Sequence, residues 1–186
     1  MPTVEDSIRI ENVVASATLN QKFDLNAIVK GNPEVEYNPE KFPGLVFRIK
    51  RPKTAILIFS TGKMVCTGAR SEKEAKRAVK KVVRELKKSG IIIPGKPEIK
   101  IVNMVASANL LGRIELEEAT YSLDRTMYEP EQFPGLIYRM DEPKVVILLF
   151  ATGKLVCTGA TKEEDVYKAV AKLHKNLKEK ELIYSE

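Results

Sequence analysis

Tryptophan is absent from these 186 residues, histidine occurs once and cysteine twice. A single imidazole, His174, and two isolated thiols, Cys66 and Cys157, are too few and too scattered for a zinc site of the Cys-x-x-Cys kind. His174 falls on the apolar stripe of a helical segment with no catalytic companion, which suits packing. Long apolar runs are missing too. Ile91–Ile93 and Val145–Phe150 fall far short of the roughly 20 residues that cross a bilayer, so no membrane role is expected. The opening Met-Pro-Thr-Val-Glu-Asp has neither a basic nor an apolar leader region, and with so few thiols an intracellular location is expected. Neither Thr61-Gly62-Lys63 nor Thr152-Gly153-Lys154 has the upstream glycine or following hydroxyl of a phosphate-binding loop. No cofactor, metal or enzymatic activity is expected.

What is present is a folding composition, 44% hydrophobic and 30% charged, with a net charge of +6 that permits a polyanionic partner. Above all there is a repeat. Tyr37-Asn-Pro-Glu-Lys-Phe-Pro-Gly-Leu-Val-Phe-Arg48 returns 91 residues later as Tyr128-Glu-Pro-Glu-Gln-Phe-Pro-Gly-Leu-Ile-Tyr-Arg139. Without a gap, residues 8–89 match 99–180 at 36 of 82 positions. A period this long marks a duplicated domain rather than a solenoid, with halves expected at 1–93 and 94–186.

Within one unit the pattern reads strand, helix, several strands, long helix. Ile8–Ser16 is rich in Val and Ile and predicts a strand; Lys22–Lys30 predicts a short helix stopped by Gly31-Asn32-Pro33. Leu45–Lys50, Thr54–Ser60 and Lys63–Ala69 are strand-like, with Thr61-Gly62 as a two-residue hairpin turn. Ser71 and Glu74 form a capping-box signature before a helix running to about Lys88, whose apolar residues, from Ala75 to Leu86, share one stripe. The fold class is α+β, each half a mostly antiparallel sheet with helices on one side.

Both alternating sets of Thr54-Ala-Ile-Leu-Ile-Phe59 are apolar, although a sheet covered on one side normally offers water a polar second face. If Ile56 and Ile58 face the helices, Leu57 and Phe59 face outward, joined by Val65 and Thr67 and, in the second unit, by Leu148, Phe150, Val156 and Thr158. A broad exposed apolar face marks an interaction site. Around it lie Arg48, Lys53, Lys63 and Arg70 in one unit and Arg139, Lys144 and Lys154 in the other. An apolar floor with a cationic rim suits nucleic acid.

The paired motifs Phe-Pro-Gly-Leu-(Val/Ile)-(Phe/Tyr)-Arg, Phe-(Ser/Ala)-Thr-Gly-Lys-(Met/Leu)-Val-Cys-Thr-Gly-Ala and Asn-(Val/Met)-Val-Ala-Ser resemble the TATA-box-binding protein family over nearly the full length. The likeness is to the archaeal members, which lack the long amino-terminal extension of the eukaryotic ones. It implies a saddle, one continuous curved antiparallel sheet whose concave face lies on the DNA minor groove, with helices on the convex face. It implies that Phe42, Phe59, Phe133 and Phe150 wedge between base steps, and that Asn12 and Asn103, near Thr67 and Thr158, donate to acceptors at the floor of A·T pairs. Val14, Val65, Val105 and Val156 match the apolar floor of the family. The implied role is a general transcription initiation factor that bends TATA-like promoter DNA and recruits transcription factor B and then RNA polymerase. The resemblance places factor B at Glu129 and Glu131, and the protein on chromosomal DNA, in a nucleoid or a nucleus according to its source. The alternative is an interaction module of the same fold whose apolar face meets a protein. Self-association of the free protein through that face, as a homodimer, is a further expectation.

The halves differ in charge. Residues 1–93 carry 18 basic and 10 acidic groups, a balance of +8; residues 94–186 carry 13 and 15, a balance of −2. Much of the excess lies on the first long helix, at Lys73, Lys76, Arg77, Lys80, Lys81, Arg84, Lys87 and Lys88, either a solvated face or a dock for an acidic partner. Arg70 has Thr161 as its repeat mate, so no phosphate contact is expected at 161.

Overall fold

The computed structural model describes residues 1–185. Two compact units divide the chain, residues 12–102 forming one and residues 1–11 with 103–186 the other. The boundaries of these compact units fall inside strands, and Pro94-Gly-Lys-Pro97 is an irregular connection ahead of a strand beginning at Glu98.

In the unit of residues 12–102, β1 (Arg9–Thr18, entering from the preceding residues) is followed by α1 (Leu25–Gly31), β2 (Leu45–Ile49), β3 (Thr54–Ile58), β4 (Lys63–Ala69) and α2 (Glu72–Lys88). The strands pair antiparallel in the order β2-β3-β4-β1. Helix α1 starts later than the sequence suggests because Asp24 caps it, its carboxylate accepting from the N–H groups of Asn26 and Ala27 at 3.1 and 3.3 Å. Ser71 caps α2 as expected, accepting from Glu74 N–H at 3.0 Å. The predicted stripe, Ala75, Ala78, Val79, Val82, Val83 and Leu86, is buried. It packs over β3 and β4, where Ile56, Ile58, Met64 and Cys66 are fully covered.

The other unit repeats the plan. β5 (Glu98–Asn109) leads to β6 (Gly112–Ile114), α3 (Leu116–Ser122), β7 (Thr126–Met127), β8 (Leu136–Met140), β9 (Val145–Leu149), β10 (Lys154–Ala160), α4 (Glu163–Glu179) and β11 (Ile183–Ser185). Its order is β5-β10-β9-β8-β7, with a small β11-β6 pair beside it that has no counterpart in the first unit. A short 3-10 helix, Glu5–Ser7, belongs here: Ser7 Oγ donates to Asn109 O at 3.1 Å and accepts from Asn109 N–H at 2.8 Å. The α+β class and the duplicated strand-helix-strands-helix unit are as the sequence indicates. Even the two cis peptide bonds, Arg51–Pro52 and Glu142–Pro143, fall at equivalent positions.

The hairpin turn differs from expectation. Gly62 N–H donates to Phe59 O, and Phe59 N–H to Lys63 O, so three residues, Ser60, Thr61 and Gly62, make the loop. Gly62 has φ +95°, and a Cβ there would stand 2.2 Å from Gln21 O; Gly153, at φ +92°, is held as closely against Gly112 O. A side chain fits neither place, which is why the three-residue bulged turn ends in glycine.

Candidate nucleic-acid interface

The site begins with a parity in the strands. Along β3 and β4 the residues that alternate with the buried set, Ala55, Leu57, Val65 and Thr67, are half-buried and share the face away from α2. Strand register extends them into rows: Val46, Leu57, Val65 and Ser16 lie across the sheet in one, and Arg48, Ala55 and Thr67 in the next. The second unit repeats both, as Ile137, Leu148, Val156 and Ser107, then Arg139, Val146, Thr158 and Val105. The expected outward orientation of Leu57, Val65, Thr67 and their mates is therefore found, and Val14 shares the half-buried status of its mate Val105. Sequence reasoning passed over Val46, Ala55 and Ser16 with their mates; their signal is the period-2 alternation once register is known.

At one end of this face Phe42, 41% exposed, meets Phe59 edge to face with ring centroids 5.8 Å apart. Phe133, 38% exposed, meets Phe150 in the same way at 5.9 Å. The glycine of each Phe-Pro-Gly motif makes the pair possible. A Cβ on Gly44 would lie 2.7 Å from Phe42 and 2.9 Å from Phe59; one on Gly135 would lie 2.7 Å from Phe133 and 3.0 Å from Phe150. Each motif thus supplies an aromatic pair of set geometry, partly open to solvent.

At the other end a bulge orients an amide. The β1–β4 register shifts between Val13 and Ala15, and the β5–β10 register shifts beside Thr158, with Gly68 and Gly159 at φ +97° and +101°. The bulge turns Gly68 N–H onto Asn12 Oδ1 at 2.7 Å, and Gly159 N–H onto Asn103 Oδ1 at 2.7 Å. With the oxygen so engaged, each Nδ2 donates one proton to its threonine, Thr67 or Thr158, at 3.2 Å. A primary amide has two such protons, so a donor is left over for a ligand at each site. The sequence names the asparagines and threonines; the bulge that sets their orientation is visible only in the fold.

The rim cations Arg48, Lys53, Lys63, Arg70, Arg139, Lys144 and Lys154 are all exposed. Arg48, Lys53, Ala55 and Thr67 come together around a concavity of about 580 Å³. Arg48 is not free, since Glu36 pairs with it at 3.4 Å, while Arg139 has no carboxylate within 4 Å among the described residues. Met127 stands where Glu36 would repeat, and Arg125 pairs instead with Asp141. Glu129 and Glu131 are exposed on the loop that carries Phe133, where Glu129 O accepts from the N–H groups of Gln132 and Phe133 at 2.9 Å.

Little else invites chemistry. The thiols of Cys66 and Cys157 are buried under the helices, and burial pushes each up to about 11. His174 lies half-buried in an apolar groove with Val4, Ile8 and Tyr167, where burial and then Lys178 hold it below the ordinary imidazole value. No metal-ligand cluster occurs among the described residues, and none of their helices is long and apolar enough to cross a membrane.

Comparison with known proteins finds the same duplication. Residues 7–89 and 98–180 each match the family described as transcription factor TFIID, or TATA-binding protein. The TATA-box-binding protein of Pyrodictium occultum is 57% identical over 169 residues, covering 91% of this chain and 85% of that protein. That of Sulfolobus acidocaldarius is 54% identical over 172 residues, covering 92% and 87%. Among solved structures, the Methanococcus jannaschii TBP superposes with a TM-score of 0.84 at 48% identity, covering 93% of this chain and 99% of that one. With both repeats matched and the fold shared along almost its whole length, the chain belongs to the TATA-box-binding protein family.

Proposed function

We propose that this protein is a general transcription factor that binds TATA-like promoter DNA in the minor groove, kinks it and performs no catalysis. The observation that carries the reading is the duplicated constellation of an edge-to-face phenylalanine pair, a half-buried apolar floor and an asparagine with a spare donor. In this reading the sequence halves 1–93 and 94–186 each serve one half of the bound duplex. Phe42 with Phe59, and Phe133 with Phe150, enter between base steps and replace lost stacking with apolar contact. The free protons of Asn12 and Asn103 go to adenine N3 or thymine O2, beside Thr67 and Thr158. The floor of Val14, Leu57, Val65, Val105, Leu148 and Val156 leaves a guanine amino group unpaired, which selects against G·C. The seven rim cations neutralise phosphates, and flexible TA steps lower a bending cost of roughly 1–6 kcal/mol. The loop bearing Glu129 and Glu131 is the docking site for transcription factor B, through which RNA polymerase is recruited. The protein works on chromosomal DNA, and the free protein pairs with a second copy through the same apolar face.

Energy transfer across an end-labelled duplex of about 16 base pairs tests the core of this reading. A TATA-containing duplex is expected to shorten end to end on titration at fixed salt and a G·C-substituted one to stay straight, with the Phe42→Ala/Phe59→Ala variant abolishing the shortening. Equal, unbent binding to both duplexes would overturn it and favour the interaction module.

A further inference from the structure

On α2, the cations Lys73, Arg77, Lys80, Arg84 and Lys87 are all exposed and recur at spacings of four, three, four and three residues. That spacing aligns them in one stripe about 21 Å long. Two of the helix's three carboxylates are engaged elsewhere on it, Glu72 with Lys76 at 3.1 Å and Glu85 with Lys88 at 3.7 Å, and the third, Glu74, reaches no cation within 4 Å among the described residues. None of the five has a carboxylate within 4 Å among the described residues. Like charges three and four residues apart destabilise a helix. The packing does not ask for them, because α4 buries the equivalent apolar stripe while carrying Glu164, Lys168, Ala171, Lys175 and Lys178 at the same places.

We infer that this stripe is a second, sequence-independent binding surface for a nucleic-acid backbone. It is the absence of apolar groups that selects this partner over a protein. Every apolar residue of α2 is buried, so the outer face holds none of the aromatic or branched aliphatic side chains that anchor protein interfaces. A row of cations meets a phosphodiester backbone through counterion release alone, and Arg77 and Arg84 can each grip phosphate oxygens with two N–H groups. Because α2 covers the face of β3 and β4 opposite to Leu57 and Val65, the stripe addresses a different stretch of nucleic acid from that face. The protein so equipped can hold two segments of DNA at once.

The probe is a labelled 20-base-pair G·C-only duplex, offered over a range of salt to the full chain, first alone and then already saturated with a TATA duplex. The saturated protein is expected to take up one G·C duplex, with affinity falling as salt rises with a logarithmic slope of about −3 to −4.5 for up to five phosphate contacts. Replacing all five cations by glutamine, a good helix former, removes that uptake and leaves TATA-duplex bending intact, which also reports that the variant folds. Arg84→Gln alone lowers the slope by about 0.9. The Phe42→Ala/Phe59→Ala variant keeps the G·C uptake, so the two surfaces fail independently. A single duplex per chain, an unchanged slope in the five-fold variant, or a glutamate-rich peptide binding more tightly than the duplex would overturn the inference.

Discussion

Helices α2 and α4 occupy the same place in the two units, each 17 residues long and each burying an apolar stripe, yet their outer faces share little. Ser71 caps α2 with its hydroxyl while Lys162 gives α4 no side-chain bond; α2 carries the unbroken cationic stripe while α4 mixes both signs with Ala171 and Tyr167. The sheets beneath them show the opposite. The Phe pairs, the glycine N–H bonds to the asparagine oxygens and the asparagine N–H bonds to the threonines agree between units to within 0.1 Å. The lesson is where duplication tolerates change: a solvated helix face accepts new charge at small cost, whereas a bulge or an aromatic pair has one solution for a given backbone.

The largest effect should come from the turn glycines, where the units are alike. Gly62→Ala and Gly153→Ala each force a Cβ into a backbone oxygen 2.2 Å away as well as into a positive φ, and each should cost about 3 kcal/mol or more by urea unfolding. Gly90, at φ +96° with nothing within 4 Å, supplies the contrast: Gly90→Ala carries only the backbone strain, about 1 to 2 kcal/mol. Equal costs at Gly62 and Gly90 would show that the loop gives way.

The thiols come next. Burial raises Cys66 and Cys157 alike to about 11, so the folded state holds their protons more tightly than the unfolded chain. Their contribution to stability is present in full below about pH 9 and is lost as pH climbs through about 11, up to roughly 2 to 3 kcal/mol per thiol. Both should resist a thiol reagent at pH 8 until denaturant is added, with equal rates; one reacting in the native state would break the equivalence.

The smallest effect separates the units. Ser71→Ala should cost about 1 kcal/mol, Lys162→Ala close to nothing, and Lys162→Ser should stabilise by several tenths of a kcal/mol, all read from thermal or urea unfolding.

The duplication, the α+β class, the stripe of α2 and the outward set around Leu57 and Phe59 were legible in the sequence because each rests on periodicity, which a chain displays before it folds. The Phe, Asn and Thr residues of the candidate site came instead through the family resemblance that the repeated motifs carry. The start of α1 was missed because Asp24 lies inside what read as helix, and the hairpin because Thr61-Gly62 names the turn residues without fixing their number. Other features were never available to linear reasoning. That Gly44 and Gly135 are glycine because two rings close over each, that Gly68 N–H aims the Asn12 amide, and that Glu36 occupies Arg48 while Arg139 is unpaired all depend on atoms 2 to 56 residues apart. The sequence by itself determined the unit, its repetition and its chemistry; tertiary structure decided which protons, rings and charges are left over for a partner, since only packing brings distant groups close enough to satisfy or strand one another.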